Sequence, residues 1–217
     1  MAVRKRSALP ERLAALREAM DAARGRIDRD VEARIDAILA RVDGRLAFSG
    51  DVTVVALAGA TGSGKSSLFN ALSGTKLAEP GMRRPTTAAA MAAVFGEEQS
   101  ELLDWLDVPR RHLVTGAADL SGLILLDLPD HDSTAQSHRE IVDRLVELVD
   151  QFVWVVDPQK YADAALHDRY LRPLAALADV MVVALNQIDR VAEAERPRMV
   201  ADLRRLLDSE GLDSAPL

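Results

Sequence analysis

Gly59-Ala60-Thr61-Gly62-Ser63-Gly64-Lys65-Ser66 fits the pattern G-x-x-x-x-G-K-[ST] at each fixed position, and its neighbours give the pattern mechanical meaning. Upstream, Asp51 to Ala58 (DVTVVALA) reads as a short buried strand; downstream, Ser66-Ser67-Leu68-Phe69-Asn70-Ala71-Leu72 opens a helix. A glycine-rich turn between strand and helix lets backbone N–H groups point inward around phosphate oxygens, and the helix N-terminus adds partial positive charge. Lys65 then reaches the β and γ oxygens, and the Ser66 hydroxyl ligates Mg²⁺. The spacing predicts a nucleoside triphosphate site built from Gly59, Ala60, Thr61, Gly62, Ser63, Gly64, Lys65, Ser66 and Ser67. In a glycine turn without a ligand, the Lys-Ser pair would have no reason to follow the last glycine.

Composition sets milder limits. A chain of 217 residues with 48% apolar content suits one α/β domain with a buried core plus an appendage. The net charge of −7 argues against general nucleic-acid binding across the surface and leaves room for a local basic patch. Cysteine is absent, which excludes disulfides and thiolate metal sites and fits a reducing, cytoplasmic setting. The longest apolar runs, Val52 to Ala60 and Leu123 to Leu126, are too short to span a bilayer, and no hydrophobic signal segment follows Met1-Ala2-Val3-Arg4-Lys5-Arg6. Lysine occurs only at positions 5, 65, 76 and 160, a bias expected of a GC-rich bacterial genome.

Outward from the glycine loop the chain has two regimes. Apolar residues recur at Leu9, Leu13, Leu16, Met20, Ala23, Ile27, Val31, Ile35, Ile38, Val42 and Leu46 in steps of three and four, which predicts a long N-terminal amphipathic helix to about Ala47. Unbroken, it would be roughly 55–60 Å long, with Gly25 as the point of interruption. From residue 51 on, strands alternate with helices, the pattern of a three-layer α/β fold with a mainly parallel sheet. Strands are predicted at 52–58, 88–95, 121–127, 151–156 and 180–185, with a short one at 111–114. Helices are predicted near 65–73, 136–149, 162–177 and 191–209. The domains are thus 1–50, helical, and 51–217, α/β, and the loops 74–87 and 128–137 look functional.

Two strand ends carry further chemistry. Leu123-Ile124-Leu125-Leu126-Asp127 is an apolar strand ending in a carboxylate placed to hold Mg²⁺ through a water. Val182-Val183-Ala184-Leu185-Asn186-Gln187-Ile188-Asp189 is another, ending in N-Q-x-D. A carboxylate at Asp189 accepts from the N1–H and 2-amino groups of guanine, and adenine offers no such donor pair. Asn186 would tie this loop to the glycine loop, and the Gln187 methylenes would cover the purine. Alone, the motif also reads as a capped helix start; its place downstream of the glycine loop favours the base-reading role.

The order GATGSGKS, a threonine-bearing loop, DLPD and NQID resembles the translation-factor-related P-loop GTPases, in particular their bacterial Era-like and dynamin-like members. The resemblance covers about residues 51–217 and implies a G domain that binds GTP and GDP with Mg²⁺. Within Arg83-Arg84-Pro85-Thr86-Thr87 it implies a switch threonine, Thr87, which ligates Mg²⁺ by its hydroxyl and touches the γ-phosphate; Ser66 and Asp127 complete the metal set. A dynamin-type threonine would precede the arginine pair, where Met82 stands. The usual D-x-x-G has become Asp127-Leu128-Pro129-Asp130, so a carboxylate replaces the glycine that meets the γ-phosphate. His131 follows where a water-orienting residue is expected, so Thr87 and His131 are the catalytic candidates. Gln187 replaces the commoner lysine of N-K-x-D. A final S-A loop that backs the guanine is missing, Ser214-Ala215 reading instead as the approach to a last strand, so the chain is expected to end inside its G domain.

The plain reading suits several other residues: Trp105 and Trp154 pack, Arg83 and Arg84 are solvated, and Arg4-Lys5-Arg6 aids solubility. Three function classes stay open. One is a GTPase switch or dynamin-like mechanoenzyme with slow Mg²⁺-dependent hydrolysis. Another is a guanine-nucleotide binding module with little turnover, suggested by Asp130. The third is an ABC-type ATPase, whose glycine loop is similar but whose L-S-G-G-Q segment and Walker B glutamate are absent from the sequence. The stripe over residues 9–46 implies a helical partner, either a C-terminal segment or a second copy. The resemblance implies membrane or ribosomal RNA contacts through regions outside these residues, and membrane association of a longer protein.

Overall fold

The computed structural model describes residues 8–48, 52–78, 89–130, 136–146 and 148–217. The chain divides into two compact units, Met1–Gly50 and Asp51–Leu217.

The first unit is helical, as its apolar periodicity requires, but it is two helices: α1 (Ala8–Ala23) and α2 (Arg29–Leu46). The rod of 55–60 Å does not form, because Gly25 adopts φ +72°, a left-handed conformation that ends a helix at low cost for glycine. Asp28 then caps α2, its side chain accepting from Asp30 N at 2.7 Å. Arg17 pairs with Asp43 and Arg24 with Asp36, so the pairing climbs one helix as it descends the other and the two helices are antiparallel. These exposed pairs set direction more than stability, at about 0–1 kcal/mol each. Leu13 and Met20 are buried, while Ile27, Val31, Ile38 and Leu46 stay exposed.

The second unit is a three-layer α/β fold. Its strands are β1 (Thr53–Gly59), β2 (Met91–Phe95), β3 (Arg110–Val114), β4 (Leu123–Asp127), β5 (Gln151–Val156) and β6 (Met181–Leu185), in the order β3-β2-β4-β1-β5-β6. β4, β1, β5 and β6 are mutually parallel; β2 is antiparallel to β4 and parallel to β3. Both faces of the centre are covered, since consecutive residues Ala56, Leu57 and Ala58 of β1 are all buried, the mark of a sheet between helical layers. On one face Leu57, Met91, Ala93, Phe95 and Leu125 cluster with Phe69 of α3 (Lys65–Ser73). Trp154 is fully buried, its ring centre 5.0 Å from Phe152 and 5.1 Å from Tyr170; it packs, as expected. Burial pushes the Tyr170 phenol up to about 12. Among the described residues no helix is long and apolar enough to cross a membrane.

Several predicted boundaries move. A six-residue helix, α4 (Ser100–Trp105), joins β2 to β3 and is too short to show a helical period in sequence. α5 (Gln136–Leu145) stops short of residue 149. The helix expected at 162–177 is instead α6 (Ala164–Leu166), a π turn at His167–Leu171 and a 3₁₀ stretch at Ala175–Val180. Pro173 lies between the last two and cannot donate an amide hydrogen bond inside a helix. α7 runs from Arg196 to Ser209 rather than from residue 191, with Pro197 in its first turn, where a missing N–H costs nothing. His167 fastens the irregular stretch: its Nδ1 lies 2.7 Å from Glu210 Oε2 and its Nε2 2.8 Å from Tyr161 O. The Tyr161 hydroxyl donates to Asp202 Oδ2 at 2.8 Å.

Candidate functional site

Because β4, β1, β5 and β6 are parallel neighbours, their carboxyl ends lie side by side. A crevice at such strand ends is where open α/β sheets take ligands. The glycine loop, residues 59–66, springs from the end of β1 in the middle of this row. Gly59 is still paired with Val155 of β5, and a Cβ there would lie 2.5 Å from Val155 O and 2.7 Å from Ser63 Oγ. Gly64, at φ +91°, forms the N-cap of α3, and a Cβ on it would collide with the Asn186 amide. Only glycine lets the loop turn this tightly into the helix.

From the β4 side come two carboxylates. Lys65 Nζ donates to Asp127 Oδ1 at 2.6 Å and lies 3.7 Å from Asp130 Oδ1. Ser66 Oγ donates to Asp127 Oδ2 at 2.9 Å, and Thr61 Oγ1 donates to Asp130 Oδ2 at 2.9 Å. Lys65, Asp127 and Asp130 are all buried. Asp130 therefore points into the glycine loop, and its carboxylate shares Lys65 with Asp127. The geometry gathers a lysine, a hydroxyl and a carboxylate where the sequence places Lys65, Ser66 and Asp127.

From the β6 side comes the N-Q-x-D segment. Asn186 Nδ2 donates to Ser63 O at 2.8 Å and Gln187 Nε2 to Gly62 O at 2.7 Å. Gln187 adopts a left-handed conformation, φ 57°, and leads into a 3₁₀ turn, Ile188–Arg190, that carries Asp189 at the surface. Sequence reasoning expected the Asn186 bond to the glycine loop; the Gln187 bond to the same loop was not foreseen.

The β5 end contributes a residue that sequence reasoning missed. Lys160 Nζ donates to Thr61 O at 3.0 Å. Asp157 aims it, because the Asp157 carboxylate accepts from Gln159 N at 2.8 Å and Lys160 N at 3.2 Å and fixes the turn. A cavity of about 10 Å³, lined in part by Gly59, Ser63, Asp157 and Lys160, lies behind the loop. Inside it the fully buried Ser63 Oγ has no hydrogen-bond partner among the described residues, and the space suits about one water. A signal was present in the sequence: Lys160 is one of only four lysines and follows a strand predicted to be buried.

Thr87 and His131, with Thr86, Arg83 and Arg84, lie outside the described residues. Among the described residues no group of three or more His, Cys, Asp or Glu could hold a metal ion. The oxygen pair at Ser66 and Asp127 fits Mg²⁺, a hard cation that takes one or two protein ligands and completes its shell with phosphate oxygens and water.

No curated protein matches the chain. Among solved structures it is similar to a member of an oligomerised bacterial dynamin pair, at 12% identity over 99% of this chain and 45% of that one, TM-score 0.52. It is similar to Era from Aquifex aeolicus at 20% identity over 71% and 47%, TM-score 0.52. Toc33 from Arabidopsis thaliana is similar at 12% identity over 86% and 72%, TM-score 0.52. At such identities the likeness is one of fold, and the chain spans about half the length of the dynamin and Era chains, 45% and 47%. A family model matches residues 54–187, from β1 through the glycine loop and Asp127 to the Asn186-Gln187 pair, and the chain belongs to the family it describes, the 50S ribosome-binding GTPases.

Proposed function

We propose that this chain is a Mg²⁺-dependent guanine-nucleotide switch that hydrolyses GTP slowly. The observation that supports it most is the convergence of three strand ends on the glycine loop, with Asn186 and Gln187 bonded to it and Asp189 left exposed beside it. In this reading the loop N–H groups and the N-terminus of α3 bind the phosphates. Lys65 leaves Asp127 for the β and γ oxygens, and Ser66 with Asp127 and Thr87 holds Mg²⁺. The cation neutralises charge on the phosphate oxygens when bound. Asp189 accepts two hydrogen bonds from the guanine edge. Thr87 and the loop from Asp127 to His131 read the γ-phosphate and relax after its loss, while His131 orients water.

Thermal shift tests the base assignment. GTP or GDP at about 100 Kd should add roughly 2.7 kcal/mol of apparent stability, with no shift from ATP and a change of preference toward xanthosine nucleotides in Asp189→Asn. Equal shifts with ATP would refute it.

One observation favours a second reading, a binding module with little turnover: the Asp130 carboxylate lies within the glycine loop, against Thr61 and near Lys65. Undetectable single-turnover hydrolysis alongside tight GTP binding would select it. The exposed apolar stripe Ile27, Val31, Ile38 and Leu46 supports a role for residues 9–46 in binding a helical segment or a second copy. Light scattering that shows a monomer with and without residues 1–50 counts against self-association. Membrane or RNA contact, a cytoplasmic location and mechanoenzyme action of a longer protein belong to the same proposal.

A further inference from the structure

We propose that Lys160 is a positioning residue of the nucleotide site, the third arm of a clamp that holds the glycine loop from behind. Three successive carbonyls of that loop each accept from one side chain: Thr61 O from Lys160, Gly62 O from Gln187 and Ser63 O from Asn186. A loop that offers its N–H groups to phosphate turns its carbonyls the other way, and those oxygens need donors if the inward face is to stay preformed. Asn186 and Gln187 supply neutral donors from the end of β6. Lys160 supplies an ammonium from the end of β5, and of the three arms it alone carries charge.

The placement is built rather than incidental. The Asp157 carboxylate binds the backbone N–H groups of Gln159 and Lys160, and the residue after Lys160 is anchored twice, Tyr161 O to His167 and Tyr161 OH to Asp202. The stem is thus held at both ends while the amine reaches the loop. Lys65 and Lys160 then bracket the loop from its two sides, and half of the chain's four lysines serve one anion site. Gln187 stands where the family's motif carries lysine, and Lys160 places a cation on the neighbouring carbonyl, one residue along the loop. A fixed charge there lowers the cost of gathering phosphate charge without touching the phosphate, and hydrogen bonds from charged donors are stronger than neutral ones.

The inference rests on the nucleotide-binding reading, and equilibrium titration with fluorescent GDP on the whole chain tests both. Lys160→Met should weaken GDP about tenfold, the scale of one charged hydrogen bond, with the loss larger at low salt. Lys160→Arg should restore most of the affinity. Lys160→Gln should fall between them, and adding Gln187→Lys to it should recover affinity by returning a cation to the loop. Thermal unfolding without nucleotide should differ little among these variants, because the side chain is only half-buried. Wild-type binding with Lys160→Met unchanged within about twofold overturns the Lys160 assignment alone. So does an arginine variant as weak as the methionine variant, which would make the residue a packing element. Failure of the wild type to bind GDP overturns both readings.

Discussion

Replacing Lys65 by alanine should unfold the nucleotide-free protein more easily as well as abolish its affinity for triphosphate. Lys65 Nζ is 2.6 Å from Asp127 and 3.7 Å from Asp130, and the three side chains are 2%, 0% and 10% exposed. Without the ammonium, two buried carboxylates face one another with hydroxyls as their remaining side-chain partners, Ser66 on Asp127 and Thr61 on Asp130. Breaking a buried ion pair from one side costs about 3–5 kcal/mol, because the surviving charge stays desolvated. For a domain of this size each kcal/mol moves the thermal midpoint by about 2–4 °C, so the apo midpoint should fall by about 6–20 °C. Differential scanning fluorimetry on nucleotide-free protein reads this directly. Lys65→Met combined with Asp127→Leu removes the closest pair of charges and leaves the Asp130 carboxylate to Thr61, so it should regain part of the loss. An apo midpoint for Lys65→Ala within about 2 °C of wild type would refute the buried triad, and retained triphosphate affinity would refute the phosphate-loop assignment.

Two further outcomes follow from the same geometry. Asp130→Gly removes the carboxylate that Thr61 and Lys65 hold inside the loop, so the ratio of GTP to GDP affinity should rise about tenfold, or roughly 1.4 kcal/mol; a ratio changed by less than about twofold in competition titrations would show that Asp130 turns away when triphosphate binds. Gly59→Ala puts a methyl 2.5 Å from Val155 O and 2.7 Å from Ser63 Oγ; overpacking of this kind costs about 1–3 kcal/mol, and an unchanged midpoint in thermal denaturation would refute the close approach of β1 and β5 at this residue.

Much of the molecule was legible from local pattern. The glycine loop, the strands on either side of it and the carboxylate ending β4 all depend on residues close together in the chain, where period and glycine placement act directly. The edge strand β3 was legible too, as the short strand expected at 111–114. Prolines move two of the expected helices: Pro173 interrupts one and Pro197 sets the start of another, effects of a missing N–H that apolar spacing does not register. Gly25 is a related case: its place in the stripe marks a point of interruption, and the left-handed turn there with the Asp28 cap is what makes two helices of one.

Sequence alone determined that a phosphate-type loop joins a buried strand to a helix, that a carboxylate ends β4, and that an N-Q-x-D segment closes β6, because each is a run of neighbouring residues with its own chemistry. Tertiary structure alone decided what those runs do to one another. Thr61 and Asp130 are 69 positions apart, Lys160 and Thr61 are 99 apart, and Gln187 and Gly62 are 125 apart; no local period links such residues. They meet because parallel pairing lines up the carboxyl ends of β4, β1, β5 and β6, and that alignment is a property of the folded sheet, which side-chain burial across the whole domain selects.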